Sequence, residues 1–192
     1  MSPYSFALRR APLACTLAML VVFELLAPAA QAQAQDQGRL SVFGHHYSVI
    51  AGASLTVPRT AQTRSLFGDR SFAPVLSIWN FDTRHGLGLS WDLAAWRMRE
   101  AGRQAQGFQG GVGPRFQFAA NRAAVAPFVT VRGDAYVLRL DHAAWHTKPS
   151  VNVEVGATLL RHFVVSARYD AVPKVGGVDL STFSASTAVK IF

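Results

Sequence analysis

The sequence predicts an all-β protein: an eight-stranded antiparallel up-and-down transmembrane β-barrel, preceded by a cleaved signal peptide. Three observations predict it. Apolar and polar residues alternate with a period of two along several stretches of the chain, long and short connectors alternate between those stretches, and over most strands charge is confined to one of the two faces that the alternation defines. Side chains of a strand point to opposite faces in turn, so period two reads as strand with one oily and one wet side.

The leader comes first. Arg9 and Arg10 precede an apolar run from Ala11 to Ala27, and Ala30-Gln31-Ala32 supplies the small-x-small pattern of a signal-peptidase site. A membrane-spanning helix needs about 20 apolar residues, and Glu24 and Pro28 interrupt this run. Residues 1–32 are therefore expected to be removed, 33–46 to form an N-terminal lead-in, and 47–192 to form the barrel. The single cysteine, Cys15, lies in the leader, so the mature chain is expected to have no disulfide and no cysteine metal site. Two arginines and one glutamate leave with the leader, taking the formal charge from +8 to +7 over about 160 residues, one domain's worth.

The strands follow in order. Val49, Ala51, Ala53, Leu55 and Val57 oppose Ser48, Gly52, Ser54 and Thr56 in the first, about Tyr47 to Val57, with a bulge expected at Gly44 to His46 where the parity changes. Phe72 to Phe81 is the second. In the third, Leu87, Leu89, Trp91 and Leu93 oppose Gly88, Ser90, Asp92 and Ala94. In the fourth, Phe108, Val112, Phe116 and Phe118 oppose Gln109, Gly111, Gly113, Arg115 and Gln117. Val125 to about Leu138 sets Thr130, Arg132 and Asp134 against Val129, Val131, Ala135 and Val137. Val151 to Leu159 and Phe163 to Ala171 form the sixth and seventh, and Leu180 to Phe192 the last. Gly110-Gly111-Val112-Gly113 falls within a strand, where small residues relieve crowding, and no phosphate-binding loop is found.

Three connectors read as short (Asp82 to Gly86, Ala120 to Ala123, Arg161-His162) and four as long (Pro58 to Ser71, Arg99 to Gly107, Arg139 to Ser150, Pro173 to Asp179). Strict alternation is what a barrel with both termini in the periplasm requires: short periplasmic turns and longer outer loops. A soluble barrel of the same strand number would turn its apolar face inward and its charges outward. Here the uncharged face is Val, Leu, Ala, Phe, Trp and Tyr, an aggregation hazard in water and what hydrocarbon demands. Trp79, Phe81, Trp96, Phe118, Phe163 and Phe192 fall near strand ends and are expected in the aromatic girdles.

Gly113-Pro114-Arg115-Phe116-Gln117-Phe118, Ala126-Pro127-Phe128-Val129, Leu160-Arg161-His162-Phe163 and the terminal Phe192 resemble the small bacterial outer-membrane β-barrel domain family, similar in plan to the OmpA transmembrane domain and OmpX. The resemblance implies residence in the bacterial outer membrane and Phe192 as the signal recognised by the barrel-assembly machinery; a monomer is the default expectation. In that family an apolar or aromatic residue two positions before the end strengthens the signal, and this chain has Lys190 there.

Candidate sites fall into four groups. Asp92, Arg115, Arg132, Asp134, Glu154, Arg168 and Asp170 lie on the charged face, where an eight-stranded barrel is just wide enough for side chains to fill it. They are expected to pair inside as a structural network; a narrow gated ion path is the alternative. Arg59, Arg64, Arg70, Arg99, Arg103, Lys148 and Lys174 fall in the long connectors, positioned to meet lipopolysaccharide phosphates. His45, His46, His142 and His146 lack a metal-ligand arrangement, because spacing of four is meaningful on a helix and that stretch reads as loop. His46 and Ser48 share a face if the first strand is regular, and a serine needs such a base to become nucleophilic. Lipid A-modifying hydrolases of this barrel size place such a pair on a late strand, where this chain reads Ala167-Arg168-Tyr169-Asp170. The expectation is thus a structural or surface-interaction protein without catalysis or cofactor. Its partners would be outer-membrane lipid and lipopolysaccharide, and an exported chain meets no nucleic acid.

Overall fold

The structure is a computed structural model that describes residues 40–42, 45–81, 86–119, 123–141 and 143–191. The chain divides into two units, Met1–Leu40 and Ser41–Phe192, and the second holds the barrel. The leader, Phe192, His142 and the expected bulge at Gly44 lie outside the described residues, as do the side chains of His45, His46 and Phe81.

A short strand, β1 (Leu40–Val42), heads the strand order. Eight strands then form the barrel wall: β2 (His45–Pro58), β3 (Ser71–Phe81), β4 (Leu87–Glu100), β5 (Arg103–Gln117), β6 (Val125–Leu140), β7 (His146–Leu159), β8 (Phe163–Ala171) and β9 (Thr182–Lys190). Each pairs antiparallel with the next, and β9 returns to β2 through pairs running from Ile50↔Lys190 to Pro58↔Thr182. The β5–β6 ladder passes from Val112↔Gly133 to Arg115↔Thr130, leaving out Pro114, which has no N–H to give. Closure satisfies the backbone donors and acceptors of both edge strands, the only way a sheet can stand in hydrocarbon.

The faces divide as the alternation predicts. Along β6, Ala126, Phe128, Thr130, Arg132, Asp134, Tyr136 and Leu138 are buried, while Val125, Val131 and Ala135 are exposed. Along β7, Ser150, Asn152 and Glu154 are buried between exposed Val151, Val153 and Val155. Across the middle of both strands the outward residues are apolar and the charged ones point inward, the reverse of a water-soluble barrel. Both chain ends of the barrel and the turns β3–β4, β5–β6 and β7–β8 share one end, which the transmembrane-barrel rule assigns to the periplasm. At Leu160 and Arg161 the last of these turns takes φ of 49° and 69°, the left-handed pair of a tight hairpin.

The outer end departs from the sequence reading. No long loop runs from Arg99 to Gly107. β4 and β5 stay paired through Arg99↔Gln104 and Glu100↔Arg103, and only Ala101 and Gly102, with φ of 46° and 84°, make the turn. Polar residues occupy both faces there because the hairpin stands beyond the lipid, so alternation fades while pairing persists. Strict alternation of long and short connectors does not hold. The β6–β7 connector likewise shrinks to residues 141–145, which places Lys148 within β7.

In the β2–β3 connector a seven-residue helix, α1 (Ala61–Phe67), forms. Thr60 caps it, its Oγ1 accepting from the Thr63 N–H at 3.2 Å, and Gly68 at φ 99° ends it. In the β8–β9 connector Val175 and Val178 bridge across Gly176-Gly177. Trp79 and Trp96 are not girdle residues: both carry inward parity, and Trp79 is buried, whereas Phe118 and Phe163 are exposed as expected.

Candidate functional site

From the periplasmic end upward, the interior has three layers. The lowest is an apolar floor of Ile50, Trp79, Phe128 and Val164 with Ala188 packed against it. The Arg115 guanidinium lies between two of its rings, 3.2 Å from the Trp79 centroid and 3.3 Å from that of Phe128. A planar cation over aromatic faces is a favourable way to hold an arginine that is fully buried. Phe128 can enter because Gly156 faces it across the β6–β7 ladder; a Cβ there would stand 2.6 Å from its ring.

The middle layer is the charge network. Arg132 reaches Asp92 through Nε at 3.0 Å and Glu154 through Nη2 at 2.5 Å, and donates from Nη1 to Ser90 at 2.9 Å. Arg168 meets Asp92 at 2.7 Å and Asp170 at 3.1 Å. Gln109 donates to Asp170 at 2.8 Å and accepts from Arg168 at 3.3 Å. Asp134 takes a hydrogen bond from Asn152, and its carboxylate fills the space over Gly111, where a Cβ could not fit. Five of the seven predicted residues thus form one continuous ion-paired set spanning β4, β6, β7 and β8. Asp134 sits beside that set on β6, and Arg115 is built into the floor.

The outer layer is an apolar cap. Phe67 from α1 and Val172, Val175, Val178 and Leu180 from the β8–β9 connector pack onto Met98, Ala105, Tyr136 and Leu138 from the wall. Thr63 Oγ1 donates to the Asp179 carbonyl at 2.5 Å, fastening helix to connector. Between cap and network, and again beside the network, the described residues leave a small cavity of about 20 Å³, enough to hold a water.

The connector cations are distributed differently from the sequence reading. Arg59 donates to the Tyr169 hydroxyl at 3.2 Å and lies 4.0 Å from Asp179; Arg64, in α1, donates to the Pro58 carbonyl. Arg103 pairs with Asp141 at 3.0 Å and stands over the Phe67 ring, sealing the cap from above. Burial works to raise the Asp179 pKa. Hydrogen bonds from the Ser181 N–H and hydroxyl, with Arg59 and Lys174 nearby, outweigh it and hold the carboxyl below its ordinary value. Arg70, Arg99 and Lys174 are exposed, and Lys148 is half-buried on β7. Ser48 faces inward at the periplasmic end, opposite Trp79 in the β2–β3 register. Among the described residues no cluster of three metal-ligating side chains occurs.

Sequence reasoning missed Ser90, Gln109 and Asn152 as members of the network and Trp79 and Phe128 as the bed of Arg115. Ser90, Gln109, Phe128 and Asn152 share the parity of the charged residues on their strands, which was the available signal; Trp79 lies on β3, which has no charge to mark its inward face.

A closed eight-stranded antiparallel barrel with an uncharged band around its exterior and a charge-paired interior has the fold of the small outer-membrane β-barrels. Solved structures share this fold. Neisserial surface protein A matches with a TM-score of 0.62 at 17% identity, over 76% of this chain and 96% of its own. Ail, the attachment invasion locus protein of Yersinia pestis, matches in its complex with the heparin analogue sucrose octasulfate with a TM-score of 0.51 at 12% identity, over 76% and 98%. The outer membrane enzyme PagL matches with a TM-score of 0.51 at 14% identity, over 76% and 98%. No protein-family profile matches the chain, and no curated protein matches it in sequence.

Proposed function

We propose that the protein is a sealed, non-catalytic, monomeric barrel that acts through its outer end, where its cations meet anionic molecules of the cell surface. One observation carries this reading: among the described residues, floor, network and cap each occupy the bore at a different level, and the cavities beside the network are small, about 20 Å³ each. A pore needs a continuous water column, and wide aqueous lumens belong to barrels of more strands. The placement of Ser48 speaks against lipid hydrolysis, because it points inward at the end opposite the outer leaflet. Exposed Arg59, Arg70 and Lys174 of the outer connectors support an anionic partner, and a barrel of the same fold, Ail, was crystallised with a polysulfated sugar.

Planar-bilayer recording tests the reading. The reconstituted protein is expected to give no steady unit conductance. Steady single-channel currents that vanish when Arg132 or Glu154 is substituted would replace the sealed barrel with the narrow pore. A change in lipid A mass in expressing cells that Ser48→Ala removes would make the protein an enzyme instead.

A further inference from the structure

Below the mouth, on the outside of the wall, the strand registers assemble a feature that alternation alone does not reveal. Arg97 of β4 pairs with Gln106 of β5, and Gln106 with Arg139 of β6. All three carry outward parity, so they form one row across three adjacent strands, with the arginine Cα atoms about 10 Å apart at the usual strand spacing. Trp145 continues the row: the Arg139 guanidinium lies 5.1 Å from its ring, and that ring stacks on Phe108 at 6.3 Å and 25°. One row further out, Gln104 accepts from Arg97 Nη2 at 3.0 Å. The carboxylate that follows Arg139, Asp141, is already held by Arg103 and by the Gln104 N–H.

One row inward, everything turns apolar. Ala95, Phe108 and Val137 stand directly beneath the arginines, and beneath them are Leu93 and Val112, both about half exposed. The outward face of β4 is uncharged from Leu87 to Ala95 and charged at Arg97 and Arg99; β6 is uncharged from Val125 to Val137 and charged at Arg139. The arginine row therefore marks the outer boundary of the lipid-facing band, the depth at which headgroup phosphates lie.

We propose that this row is a lateral binding site for a phosphorylated glycolipid of the outer leaflet. Arg97 and Arg139 each take a phosphate, Gln106 hydrogen-bonds the sugar between them, and the acyl chains lie along Leu93, Phe108 and Val112. Arginine presents a fork of donors that matches phosphate bidentately. Two of them separated by two strand spacings suit a disaccharide phosphorylated at both ends. The continuous apolar surface below commits the site to a lipid rather than to a soluble polyanion. The site goes beyond the proposed role of the mouth, since it lies on the wall and uses none of the connector cations.

Native mass spectrometry of the detergent-solubilised folded barrel, titrated with hexa-acyl bisphosphoryl lipid A, tests it. One lipid is expected to bind, with at least tenfold weaker affinity in the Arg97→Gln/Arg139→Gln double variant and unchanged affinity in Arg161→Gln, an exposed change in the turn at the opposite end. Trp145→Ala, an exposed change outside the core, is expected to weaken binding several-fold and serves if the double variant fails to show heat-modifiable migration. Wild-type affinity in the folded variants would overturn the site. Displacement of the lipid by sucrose octasulfate as readily as by lipid A would also overturn it, marking a soluble-anion surface.

Discussion

The middle of the barrel and its outer mouth are enclosed by the same wall, yet one is filled with charge and the other with hydrocarbon. The difference lies in which parts of the chain can reach. In the middle only inward-pointing strand residues are available, and long polar side chains such as Arg132 and Arg168 span the bore to meet acids on other strands. At the mouth two connectors fold back in, and α1 with the 172–180 segment supplies Phe67, Val175 and Leu180. A narrow barrel is thus filled by its wall where only the wall reaches, and by its loops where the loops are long enough.

The largest break in this comparison is expected from Arg132→Met. Removing one member of a buried ion-paired set leaves Asp92 and Glu154 facing each other, at a cost of about 3–5 kcal/mol, read as a lower urea midpoint for unfolding from lipid vesicles. Phe67→Ala empties the centre of the cap. It is expected to cost about 3 kcal/mol, and because cap and network share no side chain, the two losses should add in the double variant. A strongly non-additive double variant would show that the two layers are one unit. Thr60→Ala removes the N-cap of α1 and should cost about 1 kcal/mol, detected as faster proteolysis of the β2–β3 connector with the wall intact.

The smallest effect is a pH dependence. The folded pKa of Asp179 lies below its unfolded value, so its contribution is present above the unfolded pKa and is lost as pH falls through the folded one. Asp179→Asn should therefore lower cap stability near neutrality and flatten its acid limb, variant and wild type converging as pH falls through the folded value, a comparison available from limited proteolysis at graded pH.

The eight strands and the two faces were legible because lipid outside and side-chain packing inside impose opposite chemistry on successive residues, as Val151 to Glu154 display. Where that contrast ends, so does the signal. Arg99, Glu100, Arg103 and Gln104 are polar on both faces, and their pairing is visible only in the structure. Trp79 and Trp96 read as girdle residues by position near strand ends, but parity turns them inward; Gly107, opposite Trp96, leaves its ring room, as Gly156 does for Phe128. The arginine row at Arg97 and Arg139 depends on the register of three strands, which no single strand's pattern contains. The helix α1 is short enough that its capping threonine and terminal glycine were its only marks.

The pairing of β9 with β2 joins residues separated by most of the barrel's length in sequence. Until the last strand arrives, β2 carries an open row of peptide groups that hydrocarbon cannot solvate. Entry into the bilayer is therefore bound to be all-or-none with respect to the carboxyl-terminal hairpin, and a chain truncated before Thr182 is expected to stall at the membrane surface rather than insert as a smaller cylinder.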